Sequence, residues 1–207
     1  MTYPLLLVRS DTDEALNEVT QDKGKKRGRP MANDAYMPVA VSRRIAASAH
    51  DIFQLLADPG RHPEFDGSGM VRAGASDAVV SAVGDVFVMK MHYAALGDYE
   101  MNNLVVEYEL DRRIGWEPAP GNGHPAADAQ DPVGNREGHR WIFDLTPTGS
   151  DATVVTEIYD CSRAPDELRA DVHDGRDWVE SMTKTLERLD GLCAKQPGGA
   201  EGASTPS

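Results

Sequence analysis

Cysteine is scarce. The 207-residue chain holds two, Cys161 and Cys193, too few for a disulfide framework and without metal-type spacing. Aromatic residues make up 6% of the chain, so a core has to rely on Val, Leu, Ile, Ala and Met. Long apolar runs are also missing. The longest near the start, Leu5-Leu6-Leu7-Val8, is too short for a signal-peptide core or a bilayer span. Together these shortages lead to the expectation of a cytoplasmic protein with no membrane span.

Positive charge is in deficit. Lys and Arg number 21 against 34 Asp and Glu, a formal net charge of −13. Residues 1–36 carry six of each sign, so the whole excess of acid lies in 37–207. Such a surface repels nucleic acid and anionic headgroups. Familiar chemical motifs are lacking too. There is no H-x-H, H-E-x-x-H, C-x-x-C, P-loop or G-x-S-x-G, and "GSGMVR" (67–72) lacks the third glycine of a dinucleotide fingerprint. No metal and no cofactor are therefore expected, and the catalytic residues, if any, stay unassigned.

What is present divides the chain into three. Residues 1–36 read as a disordered tail, dense in charge and without a sustained apolar period. Inside it Arg27-Gly28-Arg29-Pro30 resembles an AT-hook, whose arginines enter narrow minor grooves. A solvated basic tail is the other reading, and the acidic remainder argues against nucleic acid as a partner. Residues 37–194 read as one compact domain, and 195–207, rich in Gly, Pro and Ser, as a second disordered tail.

Within the domain, Val39, Val41 and Ile45 alternate as a strand. Ser48 and Asp51 form an S-x-x-D capping box before the short helix of Ile52, Phe53, Leu55 and Leu56, which Asp58-Pro59 ends. "RHPEF" adds one more helical turn. Strand-like runs follow at 69–73, 85–93, 99–110, 114–117, 139–145 and 153–161. Their alternation places Phe87, Met89, Met91 and Tyr93 on one face, then Leu104, Val106 and Tyr108, then Trp141 and Phe143, and finally Glu157 beside Tyr159. Residues 118–138 have no period and read as a long loop, either mobile or a lid. From Pro165 on, Leu168, Val172, Gly175, Val179, Met182, Leu186, Leu189 and Cys193 recur at steps of four and three. That predicts one continuous amphipathic helix, its stripe widened by Trp178 and Thr185.

This order, with "VSRRIAASAHDIFQLLADPGRHPEFDGSGMV", "VGDVFVMKM" and "WVESMTKTLERLDGL", resembles the START-like, or SRPBCC, superfamily of polyketide cyclase/dehydrase-like and Bet v 1-type proteins. The resemblance spans 37–194. It implies an α+β helix-grip fold: a curved antiparallel β-sheet wrapped around a long C-terminal α-helix, with two short helices after the first strand. It further implies an internal cavity that takes a hydrophobic small molecule.

The expected cavity wall is Phe87, Met89, Met91, Tyr93, Leu104, Val106, Tyr108, Trp141, Phe143, Tyr159, Trp178 and Met182, with His62 and Phe65 at its mouth. First and last strands are neighbours in such folds. Arg43 and Glu157 are therefore candidate polar anchors, facing each other as a pair; an exposed cross-strand pair is the alternative. Three functions follow as expectations. One is a carrier or sensor of a lipid, polyketide or similar molecule. The others are a polyketide cyclase or dehydratase using the same cavity, and an interaction domain using its acidic surface. The oligomeric state is not legible.

Overall fold

The computed structural model describes residues 36–75 and 78–195. The AT-hook-like stretch Arg27–Pro30 and the two tails, apart from Tyr36 and Lys195, lie outside them. Seven strands form a single antiparallel sheet. They are β1 (Val39–Ile45), β2 (Val71–Gly74), β3 (Val86–Tyr93), β4 (Gly97–Glu109), β5 (Arg113–Pro120), β6 (Arg140–Pro147) and β7 (Thr153–Asp160), in the order β1-β7-β6-β5-β4-β3-β2. The chain thus meanders from β2 to β7, and β1 closes the far edge beside β7.

Between β1 and β2 lie α1 (Ala49–Ala57), a 3-10 turn (Pro59–Arg61) and α2 (His62–Phe65). The capping box forms as its spacing requires: Ser48 Oγ accepts the Asp51 N–H at 3.1 Å and donates to the Asp51 carboxylate at 2.7 Å. Asp58 then accepts the Gly60 N–H at 2.9 Å, which turns the chain into the 3-10 segment. After β7 come α3 (Asp166–Asp171), a 3-10 segment (His173–Trp178) and α4 (Val179–Ala194).

The predicted single helix is broken. Asp174 and Gly175 have φ of 54° and 90°, left-handed values that no α-helix contains. Packing explains the break. A Cβ on Gly175 would stand 2.6 Å from Tyr159 Cδ1, so at this position the segment presses bare backbone onto the tyrosine ring of β7. The apolar stripe is real on both sides of the break, with Val172, Met182, Leu186, Leu189 and Cys193 all buried.

Two strands also depart from the simple alternation. In β4 the register slips between Val105 and Glu107, so Val106 is an extra residue and the inward set changes parity. Before the slip, Met101, Asn103 and Val105 point inward and Leu104 outward; after it, Tyr108 packs edge-on to Phe53 at 5.4 Å. β5 runs on through two prolines, Pro118 and Pro120, where a loop was expected. Its pairing with β6 stops at Trp116–Trp141, while its pairing with β4 continues to Pro120. The prolines therefore occupy a locally free edge, where a missing N–H breaks no ladder.

The remaining loop is tied to the outer face of the sheet. Asn102 Nδ2 donates to the Pro132 carbonyl at 2.9 Å, and Arg136 meets Glu117 at 2.9 Å. Arg140 and Arg163 share Glu117 as well.

Candidate functional site

The core has two parts. One joins α1, α2 and the inner face of β3–β7 to the C-terminal half of α4. The other gathers Tyr159, Cys161, Ala164, Val172 and Met182 around the helix break. Between them the curved sheet and α4 leave a cavity of about 220 Å³. That exceeds the roughly 150 Å³ that suffices for benzene in an engineered core.

Its wall is aromatic and thioether-rich. Phe87, Met89, Met91, Met101, Trp116, Trp141, Phe143, Tyr159, Trp178 and Met182 all line it, so every tryptophan of the chain is in this one place. Trp141 packs on Tyr159 at 4.7 Å and on Trp178 at 5.6 Å.

His62 and Phe65 are not at the mouth. They are 5% and 3% exposed and form the inner wall beneath α2. His62 Nε2–H donates to the Leu56 carbonyl at 2.8 Å, and its ring sits 5.4 Å from Trp116 and 5.6 Å from Phe87. Complete burial pushes the His62 pKa down to about 4, so the imidazole is neutral. The rim is made instead by half-buried Asp66 and Met70 and exposed Ser68. The Asp66 carboxylate is held by the N–H and hydroxyl of Ser68, at 3.1 and 2.7 Å, and by the Val71 N–H at 3.1 Å.

Gly67 fastens this rim to α4. Its N–H donates to Thr185 Oγ1 at 3.0 Å, and Thr185 in turn donates to the Ser181 carbonyl at 3.0 Å.

The polar groups inside are few and unusual. Among the described residues three buried side-chain atoms lack a well-formed hydrogen bond: His139 Nδ1, Glu157 Oε2 and Trp178 Nε1, the last facing the Tyr159 hydroxyl without good hydrogen-bond geometry. All three residues line this cavity. An unmatched buried polar atom costs about 1–3 kcal/mol, so three in one place are a feature needing a cause. Burial, with Asp66 adding like charge, raises the Glu157 pKa well above the usual carboxyl value. Burial also takes His139 down to about 4 and raises the Tyr159 phenol.

The expected Arg43–Glu157 pair does not exist. Glu157 is registered with Val41 of β1, and Arg43, two residues on, reaches Asp190 of α4 at 2.8 Å. Arg43 lies at the sheet edge outside the cavity.

Tyr93, Leu104, Val106 and Tyr108 are outside it as well. Tyr93 stands at the β3–β4 turn, the β4 bulge takes Leu104 and Val106 off the inward face, and Tyr108 faces inward but packs on Phe53 away from the cavity. The sequence reading missed Met101, Asn103, Trp116 and His139. Asn103 is polar in an inward position, Trp116 lies in the short run 114–117, and His139 lies just before β6. Of the expected loop 118–138 only Pro118, which belongs to β5, lines the cavity, so the remaining loop is no lid in this structure. Among the described residues no helix is long and apolar enough to cross a membrane, and no group of three His, Cys, Asp or Glu could hold a metal ion.

No family model matches the chain. The Mycobacterium tuberculosis protein Rv0088, itself uncharacterized, is 32% identical over 125 residues, which is 59% of this chain and 48% of that protein. The chain thus spans about half the length of the curated relatives it matches. Among solved structures, a Rhodobacter sphaeroides protein aligns with a TM-score of 0.57 at 12% identity, covering 80% of this chain and 97% of that one. A START superfamily protein of Mycobacterium smegmatis aligns at 0.51 and 14% identity, over 77% of this chain and 99% of that one.

Proposed function

From a START-type helix-grip fold, which the chain has, we propose that it binds a compact, mainly apolar small molecule in the cavity, as a carrier or sensor. The carrying observation is the convergence of three unmatched buried polar atoms on one aromatic-walled space. Apolar walls supply affinity by burial, and a few placed polar atoms fix orientation. A ligand that presents a matching group removes the cost of those atoms. The methionines Met89, Met91, Met101 and Met182 adapt the wall to its outline. A reducing, cytoplasmic setting suits the two buried free thiols, Cys161 and Cys193.

Titrating the full chain with indole, a compact apolar probe, is expected to give a saturable binding isotherm by calorimetry. Native mass spectrometry of the purified protein is expected to show a releasable small molecule. Failure of every compact apolar probe to bind would overturn the reading.

A cyclase or dehydratase acting on a polyketide-like substrate is the second reading. It is favoured by one observation: a buried carboxyl, Glu157, whose pKa is raised, and a buried phenol, Tyr159, share an inward face two residues apart. Turnover lost in Glu157→Gln while uptake survives is its signature.

A further inference from the structure

We propose that the cavity is selective for organic cations: the molecule it takes is a compact amine, bound as its ammonium against Glu157, and the matching carboxylate is refused. The proposal rests on the ligand-binding reading above and adds the charge of the ligand to it.

Three independent features point this way. First, the wall has no lysine or arginine, while it has two carboxyl groups, Glu157 inside and Asp66 at the rim. Arg188 approaches the rim, but its guanidinium donates to the Asp66 backbone carbonyl and it does not line the cavity. Arg43, which shares a sheet face with Glu157, is turned to Asp190. An anionic ligand would find no counter-charge, and a buried unpaired charge is strongly disfavoured.

Second, Glu157 is 5% exposed, lines the space, and has an oxygen with no partner. An ammonium group supplies hydrogen-bond donors and the charge together. Third, the rings of Trp116, Trp141, Trp178, Tyr159 and Phe143 form much of the wall, and the faces of such rings attract cations. Asp66 at the rim favours entry of the same charge.

The other ionisable groups facing the acid from the packed elements do not compete. His62 of α2 and His139 beside β6 are neutral, and Tyr159 of β7 keeps its proton. On α4 the facing residues are Ser181, Met182 and Thr185, none of them charged.

The proton balance is definite. Burial makes Glu157 hold its proton more tightly than a free carboxyl, and the amine enters as its ammonium; the ion pair forms when that proton leaves to the buffer. Binding therefore releases protons, up to one per molecule bound, and affinity rises with pH above the ordinary carboxyl range.

The experiment is calorimetry on the full chain with three matched probes, 2-phenylethylamine, 2-phenylethanol and 3-phenylpropionate, and with indole as the neutral control. Each titration is run at pH 7 in two buffers of different ionisation enthalpy. The expected result is amine binding at least about tenfold tighter than the alcohol, no binding of the carboxylate, and release of up to about one proton. Glu157→Gln is expected to remove both the amine preference and the proton release. If the alcohol binds as well as the amine, if the carboxylate binds best, or if indole alone binds, cation selectivity is wrong and the cavity reading stands. If none of the four binds, both readings fall. The probe comparison is made on the unaltered chain, so it decides the matter even where the variant does not fold.

Discussion

Arg43 and Glu157 stand two residues out of register on neighbouring strands, and they do not meet. Glu157 pairs in register with Val41, and the Arg43 guanidinium lies 2.8 Å from Asp190 on α4. The arginine side chain is 41% exposed, so this ion pair belongs to the surface and is worth less than about 1 kcal/mol. Arg43→Ala is accordingly expected to lower stability by under about 1 kcal/mol and to leave indole binding unchanged. A large loss of binding in that variant, measured by calorimetry, would place the arginine in the site after all.

Glu157 itself works against the folded state as pH rises. Its folded pKa lies above the ordinary 4.5, so the native protein holds a proton that the unfolded chain releases. Between 4.5 and the folded value, stability falls by about 1.4 kcal/mol per pH unit from this group. Glu157→Gln removes that slope. The stability of the variant relative to the wild type is expected to climb steadily from pH 4.5 towards neutrality in denaturant melts. A pH-independent difference would mean that the carboxyl is ionised or solvated in the native state.

The histidine beneath α2 has the opposite sign. His62 drops from 6.5 to about 4 on folding, so the unfolded chain binds the extra proton as pH falls through that window. The stabilisation present above pH 6.5 is lost towards pH 4, on the order of 3 kcal/mol for this residue. His139 adds loss of the same sign. Replacing His62 with Phe forfeits the bond to the Leu56 carbonyl, costing about 1–3 kcal/mol at pH 7. The gap to the wild type is expected to narrow as pH falls to 4. Equal acid sensitivity in both proteins would show that His62 is not the titrating group.

Much of this architecture was legible because local chemistry and tertiary packing agree. Ser48 and Asp51 cap α1, alternation marks β3, β6 and β7, and a stripe at helical spacing marks α4. The failures have one physical form: a local exception imposed by a partner far along the chain. The extra residue at Val106 answers to the pairing with β5, and the prolines of β5 are tolerated because β6 has diverged. Gly175 fits the helical stripe by position and breaks the helix because Tyr159 lies against it. The cavity wall suffered likewise. Phe87, Met89 and Met91 lie on a regular strand and were placed; Asn103 was lost because a polar residue on an inward face breaks the pattern being sought.

Gly175 offers a test in which the two readings differ in sign. In a continuous helix, Gly175→Ala stabilises by about 1 kcal/mol. In this structure the residue has φ of 90° and the new methyl group meets Tyr159 at 2.6 Å. The expected outcome is destabilisation of roughly 1–3 kcal/mol, with a weaker grip on cavity probes because Tyr159 is displaced. A rise in melting temperature would restore the unbroken helix.

Gly67 tests the seam between the rim and α4. A Cβ there would lie 2.0 Å from the Ser181 carbonyl oxygen and 2.5 Å from the Thr185 nitrogen, both backbone atoms of a helix that cannot yield locally. The rim must therefore move off α4, breaking the bond from Gly67 N–H to Thr185 at 3.0 Å and loosening the donation of Arg188 to the Asp66 carbonyl. Gly67→Ala is expected to cost about 1–3 kcal/mol by overpacking. It should also speed release of indole, because Asp66, Ser68 and Met70 move with the glycine. Thr185→Val separates the two effects. It deletes the hydrogen bond while keeping the close approach, and should cost about 1 kcal/mol with little change in release rate. Stopped-flow release and thermal melts on both variants decide it. Equal release rates in Gly67→Ala and the wild type would show that ligands leave by another route.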